Sequence, residues 1–317
     1  MERKEFCCAV IGASNIDIGG FPSGKSVMRD SNPGRVCASA GGVGRNIACN
    51  LARMGVRTQL ITALGMDAYG ELVRADCRRA GIDLGNALCF EGASTSVYLF
   101  IADEAGDMQL AVSDMEIYKR LTPEALEPLL DGLNAMDAVI LDANLSAETL
   151  AFLARRIQVP LLADGVSTAK ATRMKDAMPY LTAFKPNALE AEALTGIPVH
   201  NPDSARMAAL KLMETGLHRV FITMGTQGVC CGEDGWTLFL PGVPSAIQNA
   251  TGAGDAFTAA LAWSALRGMT LRECAIAGLA ASSIAIEALD TVSDSMSEAA
   301  LIERMAAISR QLDVIEA

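Results

Sequence analysis

Histidine is nearly absent from this 317-residue chain: only His200, beside NPDS, and His218, in GLHR, occur, both in expected loops. A histidine-based triad or a histidine-rich metal site therefore has almost no material, and any general base must be another residue type. Basic charge is short as well, with 26 Lys and Arg against 37 Asp and Glu for a net charge of −11. That balance excludes a general nucleic-acid or anionic-membrane surface, because no cationic excess exists to replace phosphate counterions. A bound phosphate must be held locally. No run of about 18 uncharged apolar residues is present, and MERKEFCCAVIG starts charged and enters a strand-like run without a cleavage-site pattern. These absences point to a soluble, cytoplasmic protein. Nine cysteines, an odd number without C-x-x-C, are scattered along the chain. The pairs Cys7-Cys8 and Cys230-Cys231 sit in apolar runs where thiols act as small hydrophobes, so the cysteines are expected to be reduced core residues.

What is abundant is apolar: 51% of residues are hydrophobic, enough for an ample core in one domain spanning 1–317. Apolar runs of four to seven residues, CCAVIG, TQLITALG, DAVILDA, VPLLAD, LTAFKPN and VFITMG, alternate with helix-patterned VGRNIACNLARMG, AYGELVRADCRRAG and AETLAFLARRI. This βαβ rhythm predicts an α/β fold, with a mainly parallel sheet covered by helices and ligands at the carboxyl ends of its strands. Two interruptions, residues 14–40 and 86–112, predict a small separate sheet, the second from NALCF, SVYLFIA and DMQLAV around DEAGD. After Gly254 the chain reads as helix, first AFTAALAWSALRG, apolar nearly all round and so expected to be buried. No internal repeat or low-complexity linker is visible.

GGFPSGKS has the spacing of a P-loop in Gly19, Gly24, Lys25 and Ser26. Its context is wrong. Polar SNID precedes it, and VMRDSNPGR reaches Pro33 and Gly34 too soon to leave room for the helix that a P-loop enters. A turn in the small sheet is expected instead.

NATGAGDAF is a better anion cradle. Gly252 and Gly254 let successive N–H groups face an anion, and a helix starting near Asp255 adds unpaired amides and the positive end of its dipole. A carboxylate at the lip of such a hole could serve as base for phosphoryl transfer, although a capped helix N-terminus behind a Gly-rich turn fits the same letters. FKPNALEAEAL places Glu190 three residues after Asn187, which suits a capping arrangement or a metal site equally. ITMGTQGV, with Thr223, Gly225 and Gly228, suits close approach of a nucleotide or an ordinary hairpin turn. AGGVGRN, with Gly41, Gly42, Gly44 and Asn46, suits a bound hydroxyl or tight packing of strand against helix.

In this order, SNID, GGVGRNIACNLARMG, ALGMDAYGELV, KPNALEAEALTG, ITMGTQGV and ATGAGDAFTAAL resemble the ribokinase-like carbohydrate kinases, the PfkB family, over nearly the whole chain. The resemblance implies a ribokinase-like fold whose β-sheet lid, roughly 14–40 and 86–112, closes over the substrate and often forms a homodimer contact. It implies ATP and Mg²⁺ as cofactors and a small-molecule nucleoside or sugar as acceptor. Asp255 would be the base and Thr251, Gly252, Ala253 and Gly254 the anion hole. Asp17, Gly41, Gly42, Asn46 and, more weakly, Asn144 would hold substrate. Asn187, Thr223, Gly225 and Gly228 would serve ATP, and Glu190 would serve Mg²⁺ through water. Val43 departs from the Lys usual in ribokinases, which makes plain ribose a poorer acceptor. SNIDIGG, RDSNPGR, GGVGRNIA and VSDMEIY look most like the pseudouridine kinases of the family, which phosphorylate a nucleoside 5′-hydroxyl. Another nucleoside, a sugar, a sugar acid, or a nucleoside-binding sensor without turnover are the alternatives. Asn249 stands where some relatives carry an Asp of a monovalent-cation loop, which leaves dependence on a cation such as K⁺ open.

Overall fold

The computed structural model describes residues 5–104 and 107–316. Elements follow in chain order as β1 (Cys7–Ile11), β2 (Asn15–Pro22), β3 (Gly34–Gly41), α1 (Val43–Arg53), β4 (Arg57–Ile61), β5 (Ala63–Gly65), α2 (Ala68–Arg79), β6 (Leu88–Phe90), β7 (Val97–Ala102) and β8 (Met108–Asp114). The chain continues through α3 (Pro123–Leu126), α4 (Leu130–Asn134), β9 (Ala138–Asp142), α5 (Ala147–Arg156), β10 (Leu161–Asp164), α6 (Thr168–Ala171), β11 (Ala183–Lys185), α7 (Ala188–Thr195) and α8 (Pro202–Met213). It closes with β12 (Arg219–Thr223), β13 (Gly228–Glu233), β14 (Trp236–Pro241), α9 (Ala253–Ala265), α10 (Leu271–Ile286) and α11 (Glu298–Glu316). No described helix is long and apolar enough to cross a membrane.

The six apolar runs become six neighbouring strands of an eight-stranded sheet, in the order β14-β13-β12-β11-β10-β9-β1-β4. All of its pairings are parallel except β12–β13 and β13–β14, which form an antiparallel edge. Strands buried on both faces read as continuous apolar runs because every second residue serves a different core. In β1, Cys8 and Val10 join the core under α1, α9, α10 and α11, while Ala9 and Ile11 join the one under α5, α7 and α8. Helix α9 is wedged between the sheet, α1 and α10. Phe257 on α9 meets Phe221 of β12 at 6.3 Å, and Gly278 of α10 leaves the room its ring occupies.

A second, four-stranded sheet, β3-β2-β7-β8, carries most of the two polar interruptions. NALCF departs from expectation: β6 pairs in parallel with β5 and takes no part in the four-stranded sheet. A three-residue strand has too little pattern to specify its partner. The DEAGD turn falls partly on residues 105 and 106, outside the described residues. Gly24, Lys25 and Ser26 lie in the link between antiparallel β2 and β3, and no helix follows before Val43, so the P-loop spacing has no P-loop structure. All nine cysteines are free thiols, but Cys37 and Cys89 are exposed, against the expectation of core positions.

Candidate active site

Four strands of the large sheet, β9, β10, β11 and β12, end at one edge in Asp142, Asp164, Lys185 and Thr223, and the head of α9 faces that edge. Gly252 is the N-cap of α9 with φ +85, a conformation open to glycine, and a Cβ there would collide with the Thr291 carbonyl. The helix ladder begins with Ala256 N–H donating to Gly252 O at 2.9 Å, so the amides of residues 253–255 have no partner within the helix. The Thr251 amide, by contrast, donates to Asn249 Oδ1 at 2.9 Å. Asn249 in turn donates its side-chain amide to Leu289 O at 2.9 Å, so this turn carries no anionic side chain at position 249.

Asp255 stands in the first turn of α9, half-buried, and accepts a 2.8 Å hydrogen bond from Asn46 Nδ2 of α1. Desolvation, reinforced by the Asp164 carboxylate, pushes Asp255 up to about 7, against the pull of Asn46 and Lys185. Asn46 is itself oriented: Arg45 Nη1 donates to its Oδ1 at 3.0 Å, and Arg45 is anchored to Asp76 of α2. Asp17 of β2 belongs to the same neighbourhood. Asn15 Nδ2 donates to it at 2.5 Å, and burial raises its carboxyl above the usual range while Asn15 and Arg45 oppose the shift. Gly41, paired with Asn15 across β2 and β3, leaves the space that the Asp17 carboxylate fills. Gly42 has φ +96, and its missing side chain is accounted for by the backbone of Ala13 and Ser14, which a Cβ would strike.

Behind Asp255 lies a charged cluster. Lys185 Nζ, buried at the end of β11, contacts Asp164 Oδ2 at 2.9 Å and reaches the Gly254 carbonyl at 3.4 Å. Burial pulls the Lys185 ammonium down, but Asp164, Glu190 and Asp255 outweigh it and the net shift is upward. Thr258 Oγ1 of α9 donates to Asp164 at 2.6 Å, which pins the helix to the sheet. Val166, in the left-handed region at φ +64, is held by its N–H donating to Asp164 Oδ1 at 2.8 Å. A β-branched residue in that region is strained, and such strain collects where a site dictates the backbone.

Asn187 and Glu190 form a capping box at the head of α7: Asn187 N–H and Nδ2 each donate to a Glu190 oxygen at 2.9 Å, and Glu190 N–H donates back. Glu190 is buried, and its carboxyl is raised by burial and by Asp164. Asn187, Thr223 and Gly225 line a cavity of about 230 Å³ with Leu189, Val199 and Met224. Gly228, at φ +122, lies outside that lining; its bare backbone is required by the carbonyl of Leu240. Asn144, after β9, accepts from Lys170 Nζ at 2.7 Å. A larger groove of about 890 Å³ lies beyond Arg45, between β3, α2 and residues 289–294, and none of the carboxylates Asp164, Glu190 or Asp255 lines it.

The structure thus brings Asp255, residues 252–254, Asn46 and Asp17 into one region, with Asn187, Thr223 and Gly225 at a separate cavity on the same strand edge. Sequence reasoning missed Asp164, Lys185, Asn15, Arg45 and Lys170. The first two had a signal, an ionisable residue closing an apolar strand run; Lys170 had none.

Three carboxylates, Asp164, Glu190 and Asp255, face one buried ammonium, an excess of negative charge that a divalent cation would relieve. Both Glu190 oxygens already accept hydrogen bonds, so a hard cation fits here through water, as Mg²⁺ commonly binds. Among the described residues, the one tight cluster of potential metal ligands is His218, Glu233 and Asp234, at the opposite end of β12.

The pfkB family carbohydrate kinase model matches residues 7–298. The chain is 35% identical over 278 residues to the pseudouridine kinase of Escherichia coli, covering 86% of this chain and 88% of that one. It is 34% identical over 286 residues to an uncharacterized sugar kinase, YeiI, of the same organism, covering 90% and 79%. The structure of Arabidopsis thaliana ribokinase complexed with ribose and ATP superposes with a TM-score of 0.86 at 21% identity, covering 95% and 99%, so the two share the ribokinase-like fold. With Asp255 at the head of α9 and this family match over most of its length, the chain belongs to the PfkB family of carbohydrate kinases and is a sugar or nucleoside kinase.

Proposed function

We propose that the protein transfers the γ-phosphoryl group of ATP to the 5′-hydroxyl of pseudouridine. The observation that carries the reading is Asp255: a carboxyl raised to about 7, oriented by Asn46, beside helix amides with no intrahelical partner. In this reaction the 5′-oxygen forms a bond to the γ-phosphorus, the bond from that phosphorus to the bridging oxygen of ADP breaks, and the hydroxyl proton passes to Asp255. The amides of 253–255 and the dipole of α9 stabilise charge on the phosphoryl oxygens in flight. Asp17 and Asn46 hold substrate hydroxyls, Gly41 and Gly42 allow close approach, and Asn144, oriented by Lys170, contributes a further polar contact. The cavity beside Asn187, Thr223 and Gly225 receives the nucleotide, with exposed Leu189 offering an apolar surface. Mg²⁺, when bound, neutralises phosphate charge; Glu190 is the residue that would hold it through water.

The four-stranded sheet acts as a lid, excluding water as a rival acceptor. Its outward face is aliphatic, with Val36, Leu99, Leu110 and Val112 all exposed, and a second copy of this chain is the partner that would cover it. Pseudouridine as acceptor is supported by the 35% identity to a pseudouridine kinase over most of both chains. The test is ADP release with ATP and Mg²⁺ against pseudouridine, uridine, adenosine, ribose and 2-keto-3-deoxygluconate, with Asp255→Asn in parallel. Preference for pseudouridine that is lost in the variant supports acceptor and base together; preference for another member replaces the acceptor and keeps the kinase.

A further inference from the structure

Two helices each turn one stripe into the groove of about 890 Å³ beyond Arg45. On α1 the lining residues Arg45, Cys49 and Arg53 recur every four positions, and on α2 Leu72, Asp76 and Arg79 recur at four and three, so each set shares a face. Ala38 and Ala40 of β3 and the loop 289–294 complete the lining. The volume falls in the range of small-molecule sites, about 300 to 1,000 Å³.

The chain has a net charge of −11, yet three guanidinium groups gather here. Arg45 Nε at 3.0 Å and Arg79 Nη2 at 2.5 Å both donate to Asp76, so two cations share one carboxylate and this end of the groove carries positive charge in excess. Arg79 is 80% exposed and keeps further donors free for an anion. Arg53 lies about 12 Å from Arg45 along α1 and pairs at 2.6 Å with Asp294, whose carboxylate is 90% exposed and so held weakly. Asp290 stands in the same loop. Between the two ends the surface is apolar, from Cys49, Leu72 and Ala75. Arginine pairs at one end, an apolar floor and carboxylate acceptors at the other suit a molecule with a phosphate, a flat body and donor groups, spread over about 12 Å. A nucleoside monophosphate has that chemistry.

The groove meets the active site at two places. Arg45 Nη1 donates to Asn46 Oδ1 at 3.0 Å, and Asn46 Nδ2 donates to Asp255 at 2.8 Å. In the loop, Leu289 O accepts from Asn249 Nδ2 at 2.9 Å, and Thr291 O is the atom that a Cβ on Gly252 would strike. A phosphate that draws Arg45 away from Asp76 turns the guanidinium, and Asn46 then loses the partner that aims it at Asp255.

We infer that this groove is a regulatory site for a nucleoside monophosphate, with Arg45 and Arg79 taking the phosphate and occupancy lowering turnover through Asn46. The effect on turnover rests on the kinase reading above, whose product is a compound of this class. The probe is uridine 5′-monophosphate, titrated calorimetrically into the protein and into Arg79→Ala and Leu72→Glu, two exposed positions outside the catalytic machinery. Both variants should keep the parent melting curve and kcat, and each should weaken binding by about 10- to 100-fold. In steady-state rates the nucleotide should lower kcat without competing with ATP or the acceptor, and this inhibition should disappear in both variants. Inhibition that competes with the acceptor and persists in the variants puts the nucleotide in the active site and overturns the inference. Absence of calorimetric binding overturns it too, as does equal affinity for inorganic phosphate, which has no nucleoside end. A protein that phosphorylates no acceptor overturns the kinase reading and the effect on turnover, while calorimetry still decides whether the groove binds.

Discussion

Asp255 sits between two demands. Raised to about 7, it suits the base role proposed for it near neutral pH, and it is also a charge that the folded state holds unwillingly. Turnover is expected to fall as pH drops through about 7, because the base is then protonated; a kcat profile flat from pH 5.5 to 8 would count against its role. The stability effect has the opposite direction. Between the unfolded value of 3.8 and about 7 the native chain retains a proton that the unfolded chain has released. The contribution of Asp255 to stability is therefore complete below the unfolded value and lost as pH rises through about 7. Asp255→Asn should lower turnover by about 10²- to 10⁴-fold, yet melt above the parent at pH 8 by about 1 to 3 kcal/mol, with the gap narrowing towards pH 5. Lys185→Met, by contrast, leaves Asp164 buried without its cation and should cost about 3 to 5 kcal/mol in urea unfolding.

Among the elements, the heads of α9 and α7 make the clearest predictions. Gly252→Ala meets both a φ of +85 and the Thr291 carbonyl, so it should destabilise by about 1 to 3 kcal/mol and raise the KM for ATP. Gly225→Ala, at φ +57 with open space around it, pays only the backbone penalty of about 1 kcal/mol; thermal melts of the pair separate a steric role from a conformational one. Glu190→Gln should raise the Mg²⁺ concentration needed for half-maximal rate. An unchanged titration would leave that residue with its capping box alone. This is where local letters ran out: an N-cap and a carboxylate three residues apart fit a cap and a metal site equally. The structure shows the cap, and only the burial of Glu190 near Asp164 and Lys185 gives the second role a physical basis.

For the whole molecule, the proposed dimer rests on the aliphatic outer face of the small sheet. Val36→Lys with Leu110→Lys should convert a dimer to a monomer in light scattering at micromolar concentration, while a monomeric parent would remove the proposal. The large sheet was legible because buried parallel strands announce themselves as apolar runs and the helices between them as 3.6-residue patterns. The small sheet was legible in outline only. Leu88–Phe90, read as part of it, pairs with β5, since three residues carry no period that selects a partner.

Near-neighbour chemistry lay in the amino-acid order: the glycines that open the head of α9, the acid that follows them, the strand and helix periods, and the family these motifs mark. Each follows from φ/ψ freedom and side-chain spacing along a few residues. The juxtaposition of Asn46 with Asp255, 209 residues apart, and of Lys185 with Asp164 depended on which strands became neighbours. So did the raised carboxyl of Asp255, because desolvation and Coulomb repulsion arise between charges that segments distant in sequence bring into one dry space.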